Sequence, residues 1–157
     1  MSHELSHVDQ DGNARMVDVS GKPPVLRIAR ARGRIVLAAE TARLIRENQI
    51  AKGDVLTVSR VAGISAAKRT PELIPLCHTF GLDHVDVSCR LEETSVEIEA
   101  TARCVGRTGV EMEALTAVSV AALTVYDMCK AVDKDMRIVD ITMVEKQKLP
   151  VPGQGSS

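Results

Sequence analysis

A carboxylate and an ammonium group stand three positions apart near the end of a long apolar segment. They are Asp127 and Lys130 of the sequence YDMCK, and in an α-helix this spacing places them on neighbouring positions of one surface. Such a pair is either an ordinary helix ion pair worth about 0.2 to 0.5 kcal/mol, or a pair that transfers protons to and from one ligand. Spacing alone favours the ion pair. The 13 uncharged residues of 114–126 favour function, because partial desolvation brings the pKa values of such groups towards neutrality.

Two glutamates stand at the other end of the same apolar segment. Glu111 and Glu113 differ by about 200° of helical rotation, so only one of them can face a given pocket. Glu113 and Asp127 are separated by 14 residues, or about 21 Å along a helix, which is too far to share a small reacting centre. Either the two groups hold opposite ends of a long ligand, or different subunits complete each site.

Segment 68–78 holds a second group of side chains that could do chemistry. Lys68 and Arg69 are adjacent cations that either satisfy the carbonyl groups at a helix C-terminus or hold a polyphosphate through charge-assisted hydrogen bonds. His78 is either a hydrogen-bonding or acid/base group or a structural histidine. A metal centre is not expected, because Cys77 and His78 are adjacent and the sequence offers no obvious further ligands.

The composition argues against several classes of protein. A chain of 157 residues suits one domain, and its 20 basic and 21 acidic residues give a net charge of -1, so no general basic field attracts nucleic acid. One Phe, one Tyr and no Trp are too few for a base-stacking surface. The longest uncharged run is too short to span a bilayer, and the polar segment 1–15 does not suit a signal peptide. Four cysteines without a CxxC pair indicate free thiols and a cytoplasmic location.

The elements that position these groups can be predicted from periodicity. Segment 26–37 alternates as a strand, with Arg30, Arg32 and Arg34 on one face, which is typical of a solvated or edge strand. Helices are predicted over 40–48, over 54–68 with Asp54 as the N-cap, and over 108–132 behind a T-x-x-E capping box; strands are predicted over 84–91, 96–103 and 137–144.

This order of elements predicts an α+β, ferredoxin-like sandwich in which an antiparallel sheet packs against helices. We expect a folded domain over 25–146, with flexible segments at 1–24 and 147–157 that are rich in polar, Gly and Pro residues. The helix over 108–132 is apolar nearly all round, so we expect it to be buried and to favour an oligomer over a monomer.

Four segments of the chain together resemble a known family. They are MVDVS at 16–20, KGDVLTVSRVAGISAAKRTPELIPLCH at 52–78, TGVEMEALTAVSVAALTVYDMCKAV at 108–132 and KDM at 134–136. They are similar to the cyclic pyranopterin monophosphate synthase family, also called the molybdenum cofactor biosynthesis protein C family, over about residues 6–146. The resemblance implies a ferredoxin-like fold and a homohexamer, a trimer of dimers, with the active site between subunits.

The resemblance also implies a reaction. Family members convert (8S)-3',8-cyclo-7,8-dihydroguanosine 5'-triphosphate, which a radical cyclase makes upstream from GTP, to cyclic pyranopterin monophosphate and pyrophosphate, as phosphorus–oxygen lyases of molybdenum cofactor biosynthesis. Opening and reclosing the guanine imidazole ring and closing the cyclic phosphate need acids, bases and cations. No cofactor is required, although Mg²⁺ can accompany the triphosphate. The alternative is a non-catalytic paralogue that binds a purine nucleotide.

Site residues follow from the resemblance by motif. Asp127 and Lys130 are the implied proton-transfer pair, and Lys52 is a further acid or phosphate ligand. The implied substrate-binding residues, with Glu113 and His78 recognising the base and the last three binding the triphosphate, are Leu76, Cys77, His78, Met112, Glu113, Lys68, Arg69 and Arg27. This chain departs from the family in having Thr79 after His78 where a proline is usual. It also has the sequence KQKLP at 146–150 in place of a Gly-rich basic tail.

Overall fold

A four-stranded antiparallel sheet forms one layer of the fold in the computed structural model, which describes residues 6–153. Its strands are β1 (Val25–Val36), β2 (His84–Leu91), β3 (Ser95–Gly106) and β4 (Arg137–Leu149), in the order β2-β3-β1-β4. The helices are α1 (Ala39–Arg46), α2 (Val55–Lys68), α3 (Thr70–Leu73) and α4 (Glu111–Cys129). Because α2 and α4 pack against each other and against the sheet, the predicted α+β, ferredoxin-like sandwich is confirmed.

The alternation of strand β1 sets the two faces of the sheet. Ala29, Ala31 and Ile35 are buried beneath the helices, and the arginines at 30, 32 and 34 share the opposite face, as their spacing predicts. The prediction of an edge strand was wrong, because β1 pairs with β3 on one side and β4 on the other. Charged residues occur in this central strand because no helix of residues 6–153 covers its outer face. Their partners come from the neighbouring strands, with Arg30 3.5 Å from Glu99 and 3.4 Å from Glu145.

Small side chains let α2 and α4 lie close together. An ideal Cβ atom on Gly63 of α2 would lie 2.9 Å from the carbonyl oxygen of Ala117 in α4, so only glycine fits this contact without a shift. The predicted burial of α4 is confirmed for most of its length, although Leu123 is 57% exposed. By length and hydropathy α4 also passes the test for a membrane-spanning helix, as core helices do, and 56% of its most apolar window is buried in the fold.

Two of the boundaries that differ from those expected lie close to the candidate site residues. The capping box at Thr108 does not form: α4 begins at Glu111 with Val110 as its N-cap and no side-chain cap, because the chain enters the helix two residues later than that motif requires. Strand β4 runs to Leu149 rather than stopping near 144, so residues 147–149 of the expected flexible tail are paired with β1. The ends 1–5 and 154–157 of the two segments expected to be flexible lie outside the described residues.

Candidate active site

Three charged side chains meet at the C-terminal end of α4, and we call them the lysine–aspartate cluster. Lys52 Nζ lies 2.8 Å from Asp127 Oδ2, and Lys130 Nζ lies 2.9 Å from Asp127 Oδ1. Lys52 also donates to the backbone carbonyl of Asp127. Asp54, the N-cap of α2, accepts a hydrogen bond from the backbone of Thr57, which fixes the turn that carries Lys52. The structure thus brings together the three residues expected to be catalytic, two by their helical spacing and one from a distant turn.

The electrostatics of this cluster differ from what the sequence indicated. The side chains of Lys52, Asp127 and Lys130 are 51%, 55% and 55% exposed, so the expected partial desolvation is wrong for the single chain. Hydrogen bonds from Lys52 and Lys130, together with their charges, lower the pKa of Asp127 to about 2. At neutral pH Asp127 is therefore a carboxylate between two ammonium groups, where it can orient both lysines.

A cavity of about 340 Å³ opens near the other end of α4. Four of the expected substrate-binding residues line it: Leu76, Cys77, His78 and Met112. Glu113 lies behind Cys77 and is only 2% exposed. The cavity therefore gathers the two substrate-binding segments that were expected from motif, one from the loop after α3 and one from the first turn of α4.

The carboxylate of Glu113 is incompletely satisfied. Its Oε1 accepts a hydrogen bond of 3.4 Å from the Cys77 thiol, while its Oε2 is buried without a partner among residues 6–153. Burial raises the pKa of Glu113 above its ordinary value. Burial and the nearby Glu113 charge also raise the pKa of Cys77 to about 12, so this thiol stays protonated and acts as a donor. Glu111 lines this cavity and lies 3.7 Å from Lys146, whereas Glu113 does not line it; only one of the two glutamates faces the cavity, as the rotation of about 200° predicts.

His78 is held by the segment that precedes β1. Its Nε2 forms a hydrogen bond with the backbone carbonyl of Val17. A carbonyl can only accept, so Nε2 carries the proton and Nδ1 is left with its lone pair in the neutral ring. This arrangement suits a histidine that accepts a hydrogen bond or a proton from a ligand.

A corner rich in cations lies beside the N-terminus of α4, and we call it the cationic corner. Arg27, Lys146 and Lys148 line a cavity of about 220 Å³ with Glu111. Lys148 is the direct β4 partner of Arg27, and directly paired residues of an antiparallel ladder share a face. Arg27 is only 8% exposed and donates weakly to two carbonyl groups. Sequence reasoning missed Lys146 and Lys148, although their spacing of two in a strand was the signal that places them together.

Lys68 and Arg69 occupy the C-terminal end of α2, where both are exposed. Neither lines the cavities at the cationic corner or beside Cys77. Lys68 lies in the last turn of the helix and Arg69 is its C-cap. These positions suit the alternative in which the two cations interact with the carbonyl groups at the helix C-terminus. Their binding of a triphosphate stays a prediction.

The two groups of functional side chains lie at opposite ends of α4 in one chain. Glu113 and Asp127 are 14 residues apart in a continuous helix, or about 21 Å. Cys77 belongs to the Glu113 end and Lys52 to the Asp127 end. Within the described residues, no three His, Cys, Asp or Glu side chains come close enough to hold a metal ion.

Comparison with known proteins decides the family. The MoaC family model matches residues 16–148. This chain belongs to the MoaC family. The family assignment made from the motifs is thereby confirmed.

Curated members of the MoaC family are similar to this chain over nearly all of its length. The cyclic pyranopterin monophosphate synthase of Thermomicrobium roseum is 62% identical over 145 residues, which is 91% of this chain and 87% of the relative. The protein of that name from Chloroflexus aurantiacus is 59% identical over 147 residues, covering 92% and 90%. Cyclic pyranopterin monophosphate synthase 1 of Mycobacterium tuberculosis is 58% identical over 143 residues, covering 90% and 84%.

Proposed function

We propose that this chain catalyses the reaction for which its relatives are named, the formation of cyclic pyranopterin monophosphate in molybdenum cofactor biosynthesis. Its substrate is the cyclic dihydroguanosine triphosphate, and its second product is pyrophosphate. The relatives' names support an enzyme of this pathway and give no support to a non-catalytic nucleotide-binding paralogue. The observation that carries the proposal is the Asp127 carboxylate held between two lysine ammonium groups.

The lysine–aspartate cluster supplies the proton transfers. Lys130 or Lys52 donates a proton to a ring nitrogen or leaving oxygen, and Asp127 either takes a proton from the ligand or orients the two lysines. The two lysine side chains also present positive charge to phosphate oxygens. Ring opening, ring closure and phosphate cyclisation then proceed without a redox centre.

The Glu113 end of the site binds the rest of the substrate. The Oε2 of Glu113, which has no partner among residues 6–153, is a candidate acceptor for guanine N–H donors, and Nδ1 of His78, which lines the cavity, is a second candidate acceptor. Arg27, Lys146 and Lys148 present cations to the triphosphate. Lys68 and Arg69 are further candidates for that role, and Mg²⁺ can accompany the phosphates.

The active site is completed between subunits. Acceptors for a purine base lie about 21 Å from the lysine–aspartate cluster in one chain, and a nucleotide-sized substrate cannot bridge that distance while reacting at both ends. A second copy of the chain brings its lysine–aspartate cluster to the Glu113 end of the first. We assign the enzyme to a cytoplasmic homohexamer, a trimer of dimers, that receives its substrate from a radical cyclase.

Incubation of the pure protein with the cyclic dihydroguanosine triphosphate tests the function. We expect stoichiometric release of pyrophosphate and of the pterin product, measured by a coupled pyrophosphate assay and by fluorescence after oxidation. Binding of the substrate without either product would contradict the proposal and favour the nucleotide-binding paralogue.

Nearly isosteric variants of Asp127 and Lys130 test the assignment of the cluster. Asp127→Asn and Lys130→Met should each lower kcat by about 10² to 10⁴, as expected of general acid/base groups, with much smaller changes in substrate affinity. The double variant should be scarcely slower than the poorer single variant, because the residues act as a unit. Near-normal kcat in both single variants would contradict a catalytic role and leave the cluster as a set of surface ion pairs.

A further inference from the structure

Asp133 makes a set of contacts that the proposed reaction does not use. It lies just after α4 and is 8% exposed. Its Oδ2 accepts hydrogen bonds from the backbone of Ala38 at 2.9 Å and from the Thr41 hydroxyl at 2.8 Å, and its Oδ1 accepts one from the backbone of Asp135. Three donors hold this buried carboxylate in one position.

These contacts cap α1 from a distant part of the chain. Ala38 is the N-cap of α1 and has no side chain able to cap it, and alanine is among the poorest residues at that position. Asp133, 95 residues further along the sequence, accepts from the backbone N–H of this N-cap residue and from the Thr41 hydroxyl in the first turn, and it places a negative charge at the positive end of the helix. α1 is also held by Ala42 and Ile45, which are buried in the core, and the contacts with Asp133 fix its N-terminal end.

The helix held in this way leads directly to Lys52. α1 ends at Arg46, and the following turn is closed by a hydrogen bond from the backbone of Gly53 to Ile50. Ile50 is 7% exposed, so the turn is anchored beside Lys52. On the other side of the contact, the backbone of Asp133 donates to Cys129 in the last turn of α4, next to Lys130. One carboxylate thus connects the end of α4 to the helix that precedes Lys52.

We propose that Asp133 is a positioning residue, which fixes α1 to the end of α4 and so holds Lys52 against Asp127 and Lys130. Its importance for turnover rests on the proposed function, whereas its effect on the cluster does not. Loss of the cap loosens the N-terminal end of α1 and shifts the segment that leads to Lys52, whereas α2 stays in place. A displacement of about 1 Å at a reacting group can lower a rate about 10²-fold.

Two readouts on Asp133→Ala test this role. Between about pH 6 and pH 3, the Asp127 carboxyl carbon should keep its ionised chemical shift in the wild type. In the variant the Asp127 carboxyl group should begin to titrate in this range, because the hydrogen bond from Lys52 makes the largest contribution to its lowered pKa. We also expect kcat to fall about 10- to 100-fold, with less change in KM. Asp133→Asn and Thr41→Val should show smaller shifts in the same direction, and they carry the test if Asp133→Ala does not fold.

The matched control is Glu40→Gln on the same helix. Glu40 pairs with Arg43 at 2.6 Å on the exposed face of α1, and its side chain makes no hydrogen bond with Asp133 in the described part of the chain. Neither the titration of Asp127 nor kcat should therefore change in this variant. A lower melting temperature for Asp133→Ala with an unchanged titration and kcat would overturn the proposal. An inactive wild type would contradict the proposed function, yet the Asp127 titration would still decide whether Asp133 positions Lys52.

Discussion

Mixed oligomers of two inactive variants measure whether each site is shared between chains. Asp127→Asn damages the lysine–aspartate cluster, and Glu113→Gln damages the opposite end of α4, about 21 Å away. If each site combines one end from each chain of a symmetric dimer, every mixed dimer has one intact site and one doubly damaged site. Random reassociation of equal amounts makes about half of the dimers mixed, so about a quarter of the wild-type activity should return.

The assay is pyrophosphate release after the two chains are unfolded and refolded together, with different tags to verify and isolate the mixed oligomer. The control combines Asp127→Asn with Lys52→Ala. Those two side chains pair at 2.8 Å within one chain, so every site contains at least one lesion and no activity should return. Absence of rescue in verified mixed oligomers of the first pair would refute the shared site and favour a long ligand bound within one subunit. Rescue in the control would show that Lys52 and Asp127 serve different sites.

Three further predictions concern other parts of the fold. Lys68→Ala and Arg69→Ala should each raise KM about 10- to 100-fold through loss of a charge-assisted contact with the triphosphate, and an unchanged KM in steady-state kinetics would leave them as helix-end residues. Glu113→Gln should raise the free energy of unfolding more at about pH 8 than at about pH 5: a raised pKa in the folded state means that stability is lost as the carboxyl ionises. Equal effects at the two pH values in denaturant titrations would contradict this. Gly63→Ala should destabilise the fold by about 1 to 3 kcal/mol, whereas Gly81→Ala, whose Cβ would meet nothing within 4 Å, serves as the control; equal unfolding free energies for these two variants would refute the close helix contact.

Local periodicity was enough to predict most of the sheet and two of the three residues of the lysine–aspartate cluster. The alternation in β2 and β3 reports burial on one face, because side chains of a strand alternate strictly. The contact between Asp127 and Lys130 follows from helical spacing alone. Lys52 could be added only by resemblance to a family, because its contact with Asp127 spans 75 residues and leaves no local pattern.

The features that the sequence did not predict depend on long-range pairing. The polar and Pro-rich end of the chain favoured a flexible tail, whereas pairing with β1 extends β4 to Leu149 and places Lys148 beside Arg27. Spacing could not predict the exposure of the cluster either, because an uncharged run before Asp127 says nothing about whether another element covers the end of the helix. The contact of Asp133 with the N-terminus of α1 could not be predicted either, because it joins residues 95 positions apart and leaves no local pattern.

The central place of β1 has a consequence for how the chain folds. The first strand to be synthesised pairs only with strands that come much later, with Leu26 opposite Val105 on one side and Leu149 on the other. Such non-local pairing costs loop-closure entropy before it contributes stability, and it slows folding. On the ribosome, β1 can pair with β3 only after residue 106 has emerged, and with β4 only after residues 137–149 have emerged. Because Arg27 of β1 pairs with Lys148 of β4, the cationic corner can form only after almost the whole chain has been synthesised.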